Sequence, residues 1–120
     1  MATFYRLNEY RKKHRSIFFT RVELNHLLGL YSVQVARGQW RDYAIDQRDG
    51  TASFAIFRHT HESALFTVVK SVPGSNRAGD FTIWSGRELI VSGKTLPDVL
   101  AGLLKKLPSS PRLATDERYR

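Results

Sequence analysis

The sequence predicts an α+β fold in one domain: an antiparallel β-meander of four to five strands, with an N-terminal and a C-terminal amphipathic helix packed on one face. Three observations predict it. Trp40 to Gln47 and Ala52 to Arg58 are period-two runs joined by Asp49-Gly50, a strong short-range hairpin signal because both turn residues accept positive φ. Capped helical patterns flank this hairpin, one starting at Thr20 and one at Thr95. The 120 residues, 42% hydrophobic and 12% aromatic, suffice for one core and show no internal repeat or second domain.

Taken in order, residues 1–16 alternate aromatic and basic side chains without a helix cap, and two readings stay open for them: an edge strand around Phe4 to Leu7, or a basic arm. Thr20 and Glu23 then form a capping box, with Phe19 placed to pack on Leu24 as a hydrophobic staple. Leu24, Leu27, Leu28, Tyr31 and Val35 continue one apolar stripe, and Gly38 supplies the left-handed stop near Arg37. His26 falls off that stripe and reads as a solvated helix residue.

In the hairpin, a two-residue turn sets Gln47 opposite Ala52, Ile45 opposite Phe54, Tyr43 opposite Ile56 and Arg41 opposite Arg58. That apolar side is the one for a helix to cover. After a connection at Thr60 to Ser63, Ala64 to Val72 reads as a third strand. With His59 opposite Ala64, Leu65, Thr67 and Val69 are expected in the core and Phe66, Val68 and Lys70 on the far side. Pro73 to Gly79 is a loop, Phe81 to Trp84 a fourth strand, and Leu89 to Val91 its continuation beyond a Ser85-Gly86 turn. Thr95, with Asp98 as its partner and Pro97 in the first turn, starts a helix whose Leu96, Val99, Leu100, Leu103, Leu104 and Leu107 share one face up to Pro108. The domain therefore spans 17–107, and residues 108–120, with nothing to bury, are expected to be a mobile tail.

Composition removes several function classes. Without cysteine there are no disulfides, zinc-thiolate sites or thiol nucleophiles. Apolar runs no longer than four residues, such as Phe54-Ala55-Ile56-Phe57, are far short of a membrane span, and no apolar segment follows the first basic residues. No membrane partner and a cytoplasmic location are the corresponding expectations. Half of the net charge of +8 falls in residues 1–15, where Arg6, Arg11, Lys12, Lys13 and Arg15 face only Glu9. Such a segment attracts polyanions by counterion release, and it equally serves as a solubilising terminus.

The segments Phe19-Thr20-Arg21-Val22-Glu23-Leu24, Leu30-Tyr31, Gly38-Gln39-Trp40-Arg41-Asp42-Tyr43-Ala44-Ile45-Asp46 and Phe54-Ala55-Ile56-Phe57-Arg58 resemble the bacterial domain-of-unknown-function family 2794. The resemblance covers about residues 17–107, and Trp-Arg-Asp-Tyr-Ala-Ile-Asp is its most specific part. It implies a small bacterial protein with no assigned activity.

Few residues suggest catalysis. His59 and His61 point the same way on an extended chain, with Asp42 diagonally across, so these three are the candidate metal ligands; a polar turn rich in His, Thr and Glu is equally what a solvated connection looks like. Gly74-Ser75-Asn76-Arg77-Ala78-Gly79 lacks the Lys and the following helix of a phosphate loop. Asp42 and Asp46, four apart on a strand, lie roughly 13 Å apart at the usual rise, beyond the ~5–9.5 Å of a glycosidase pair. A non-enzymatic protein with no cofactor is the expectation.

In the expected register the second sheet face displays Trp40, Phe57, Phe66, Val68 and Trp84, with both helices committed to the opposite side. Small Ala44, Ser53 and Ala55 beside these rings suit a protein interface, most simply a homodimer. The alternative is a nucleic-acid-associated module in which sheet aromatics stack on bases and Arg11, Lys12, Lys13, Arg15, Arg41 and Arg58 hold phosphates; Asp42 and Asp46 on the platform oppose it. An enzyme or metal protein centred on His59, His61 and Asp42 is the third reading.

Overall fold

The computed structural model describes residues 16–59 and 63–108. Its elements are α1 (Arg21–Ala36), β1 (Asp42–Arg48), β2 (Thr51–Phe57), β3 (Phe66–Ser71), β4 (Phe81–Ser85), β5 (Glu88–Gly93) and α2 (Leu96–Lys106). The five strands form the antiparallel meander expected from the sequence, and the structure sets their order as β1-β2-β3-β4-β5. Both helices flank the sheet, and the family of contacts described below puts them on one side of it.

Helix α1 starts where its chemistry requires. Thr20 Oγ1 accepts from Glu23 N–H at 3.1 Å and Glu23 Oε1 accepts from Thr20 N–H at 2.8 Å, so two otherwise unbonded donors of the first turn are satisfied. Its end is a Schellman motif: Gln39 N–H donates to Gln34 O, Gly38 N–H donates to Val35 O, and Gly38 takes φ 76. Helix α2 is capped by Thr95, whose Oγ1 accepts from Asp98 N–H at 3.3 Å, with Pro97 in the first turn.

The hairpin register is the expected one, with Gln47 opposite Ala52, Ile45 opposite Phe54 and Tyr43 opposite Ile56. Of the two turn residues only Gly50 takes positive φ, at 73, so the turn is not the type that needs it at both. Across β2 and β3, Phe54 faces Val68 and Ile56 faces Phe66, one residue away from the expected pairing. A slip of one residue turns every side chain over. Phe66, Val68 and Lys70 therefore lie on the helix side, and Thr67 and Val69 on the other. The two sets differ in what they place beneath the helices: this register turns Phe66 and Val68 inward where the other would turn Leu65, Thr67 and Val69, and it lets the Lys70 ammonium reach Glu23 at 2.8 Å.

The core lies between this face and the helices. One row of the sheet runs Ile45, Phe54, Val68, Ile83 and Val91; Phe54, Val68 and Ile83 join Leu27 of α1 and Leu96, Val99 and Leu103 of α2 in one buried cluster, Val91 packs half-buried against it, and Ile45 on the outer strand stays exposed, uncovered by the helix expected over it. Phe54, Val68, Ile83, Val99 and Leu103 are fully buried. Helix α2 lies so close on β5 that a Cβ at Gly102 would come within 2.8 Å of Val91 Cγ1. Tyr31 reaches from α1 to the edge of the sheet, where its ring meets Tyr43 at 4.9 Å, and Tyr43 stacks on Phe54 at 4.9 Å. Toward its C-terminus α1 buries Gln34, and Val35 stays exposed, which corrects the expected stripe by one position. Residues 1–15, 60–62 and 109–120, including the expected arm, His61 and the tail, lie outside the described residues.

Candidate functional site

Two surfaces emerge from this architecture, one on each side of the sheet. The first is the side that no described helix covers. Its rows follow from the registers: Ala44, Ala55, Thr67 and Trp84 form one, and Asp46, Ser53, Val69, Thr82 and Ser92 the next, with Phe57 paired to Asp42 at the end. Ala55, Phe57, Thr67, Val69 and Trp84 are each half-buried. Trp84 folds back along its strand, its Nε1–H donating to Thr82 Oγ1 at 3.0 Å, so the indole edge is satisfied internally and its ring stays on the surface.

Three of the five residues expected on this face are elsewhere. Val68 is fully buried and Trp40 is 4% exposed, both on the helix side, and Phe66 packs beside Trp40 with ring centroids 6.3 Å apart. Phe66 and Val68 follow from the one-residue register difference. Trp40 has another cause: β1 begins only at Asp42, so the Gly38 turn, and not the pleat, sets the direction of the indole, which lies 6.4 Å from the Tyr31 ring. Phe57 and Trp84 keep the expected side.

The acidic residues of β1 have a local role that period-two reading does not reveal. Asp42 Oδ1 accepts from Tyr43 N–H at 2.8 Å, and Asp46 Oδ1 accepts from Gln47 N–H at 2.9 Å. These are amides of the sheet's outer strand, and occupying them with the preceding carboxylate blunts its capacity to template another strand. Asp46 also accepts from Arg48 Nε–H at 2.9 Å, and this bond, then the Gln47 amide, holds its carboxyl below the usual carboxylate range. Asp42 is thus engaged with backbone, and no group of three metal-ligating side chains exists among the described residues.

The second surface is a cleft of about 500 Å³ where α1 ends, lined by Val35, Gly38, Gln39, Trp40, Arg41, Arg58 and His59. Arg41 N–H donates to Phe57 O at 2.8 Å, which draws the two strand ends together. The structure therefore brings together Arg41 and Arg58 from the expected polyanion set with His59 from the expected metal set. It separates them from Phe57 and Trp84, which occupy the opposite side of the sheet. The remaining members of the polyanion set, Arg11, Lys12, Lys13 and Arg15, lie outside the described residues. Sequence reasoning missed Gln39 as a lining residue; its position directly after the helix-terminating glycine was the available signal.

Among the described residues no helix is long and apolar enough to cross a membrane. Residues 17–100 match the family model described as "Protein of unknown function (DUF2794)". No curated protein and no solved structure matches the chain.

Proposed function

Because this chain belongs to the family described as "Protein of unknown function (DUF2794)", which carries no assigned activity, its function rests on its surfaces, and we propose that it is a non-enzymatic, self-associating module that pairs through the second face of its sheet. One observation supports this reading above the others. The helices sit on one side, and the other side presents half-buried Ala55, Phe57, Thr67, Val69 and Trp84 with no described element over them. The occupant is a second copy. Small residues at the middle of the face permit close approach, and Asp46 with Arg48 at its edge supplies both signs of charge, so a two-fold axis sets each acid against the partner's base. A cytoplasmic homodimer is the resulting form.

The residues that test it differ in part from those the sequence suggests: Phe57 is common to both, and Val69 takes the place of Phe66 and Val68. Val69→Asp and Phe57→Asp place a carboxylate at the proposed contact; sedimentation should show a dimeric wild type and two folded monomeric variants, since a desolvated charge at an apolar contact costs several kcal/mol where a solvated one costs little. Phe66→Asp serves as the contrast, because it strikes the helix side and should lower stability instead. A monomeric wild type, or variants that stay dimeric, overturns the reading.

A further inference from the structure

We propose that the cleft at the end of α1 is a binding site for a phosphate monoester carried on a small molecule. It lies on the opposite side of the sheet from the face discussed above and stands independently of it. Arg41 directly precedes and Arg58 directly follows the Asp42–Phe57 pair, just beyond the ends of two adjacent strands, and the Arg41 N–H bond to Phe57 O at 2.8 Å holds those strand ends together. Like charges brought together across an antiparallel pair repel each other. Among the described residues no acid lines the cleft, and neither arginine forms an ion pair with another of them. His59 adds a third nitrogen donor to the same cleft, and Gln39 a side-chain amide.

Paired guanidinium forks matched to tetrahedral oxygens are the usual solution for binding a phosphate dianion. The dianion would also offset this repulsion, which no described acid compensates. Beneath these donors Trp40 is 4% exposed and wedged between Tyr31 and Phe66, so the floor is apolar and rigid, as orientation of a small ligand requires. A volume of about 500 Å³ suits such a ligand. A nucleic-acid strand fits less well: among the described residues the ring that lines the cleft, Trp40, is buried, Tyr43 is already stacked on Phe54, and Phe57 and Trp84 face away.

The test is a titration of the full chain with phenyl phosphate, inorganic phosphate and oligo(dT), followed by amide, arginine and imidazole NMR signals. Phenyl phosphate should give saturable shifts at Gln39, Arg41, Arg58 and His59 and bind more tightly than inorganic phosphate. Arg41→Gln and Arg58→Gln, both at exposed positions, should keep the folded spectrum and each weaken phenyl phosphate about tenfold, the loss of one charge-assisted hydrogen-bonding group. Shifts no larger than those from sodium chloride at equal ionic strength, or affinity unchanged in both variants, overturn the site. Oligo(dT) binding the same residues more tightly than phenyl phosphate overturns the small-molecule assignment in favour of a nucleic-acid backbone.

Discussion

Lys70, in the middle strand of the sheet, places its ammonium 2.8 Å from the Glu23 carboxylate that completes the α1 capping box, and 2.8 Å from the Phe18 carbonyl. The two side chains are 17% and 18% exposed, so the pair is shielded enough to matter where a solvated one would contribute little. It ties the helix start to β3 and stabilises the register that puts Lys70 on the helix side. Lys70→Ala should lower unfolding free energy by about 1–3 kcal/mol, with Glu23→Gln in a double-mutant cycle separating the pair from the cap. Additive single effects in urea denaturation would show that the pair contributes nothing.

Phe54 and Leu103 are both fully buried between sheet and helices. Truncating either to alanine leaves a cavity that its neighbours on β3, β4 and α2 cannot wholly close, so each variant should cost about 2–5 kcal/mol. Denaturation midpoints equal to wild type would contradict the packing described.

Gln34 is 3% exposed, and its Nε2 has no hydrogen-bond partner among the described residues. A buried donor left unpaired costs about 1–3 kcal/mol, and leucine fills a similar volume without it. Gln34→Leu should raise the melting temperature. A fall would reveal a polar partner for this amide.

Asp46 and Tyr31 set expectations at the two ends of the pH scale. The Arg48 bond, then the Gln47 amide, lowers the Asp46 pKa, so its contribution to stability is present above the ordinary carboxylate range and is lost as pH falls through the depressed value. Its carboxyl carbon should titrate below 3.8, and Arg48→Gln should move the midpoint upward. Burial, then the charges of Asp42 and Tyr43, raises Tyr31 above 10.0, so its contribution is complete below that pH and is lost as pH rises through the raised value. A Tyr31 phenol titrating at or below 10.0 would contradict that environment.

The candidate surfaces were only partly legible in the sequence. Phe57 and Trp84 could be assigned to the second face because each belongs to a paired strand, Phe57 opposite Asp42 and Trp84 opposite Thr67, whereas Trp40 could not, because it lies before the first paired residue, Asp42, in the segment that leaves the Gly38 turn. Arg41, Arg58 and His59 could each be named, but their meeting with Gln39 in one cleft depends on where the last turn of α1 stops above the strand ends.

By itself the sequence determined the two helix starts, the antiparallel meander as a class and the register of the first hairpin, while the order of the outer strands came from the structure. These depend on bonds between residues a few positions apart: Thr20 with Glu23, Thr95 with Asp98, and Arg48 with Thr51 across a two-residue turn. Only the tertiary structure decided which residues of β3 point inward, because the eight residues between β2 and β3 tolerate either register and the choice falls to distant groups. Phe66 and Val68 gain burial beneath the helices, and Lys70 gains Glu23, 47 positions away. The same long-range packing turned Gln34 inward and Val35 outward on a helix whose apolar residues surround it on nearly every side, so that no stripe in the sequence could dictate its rotation.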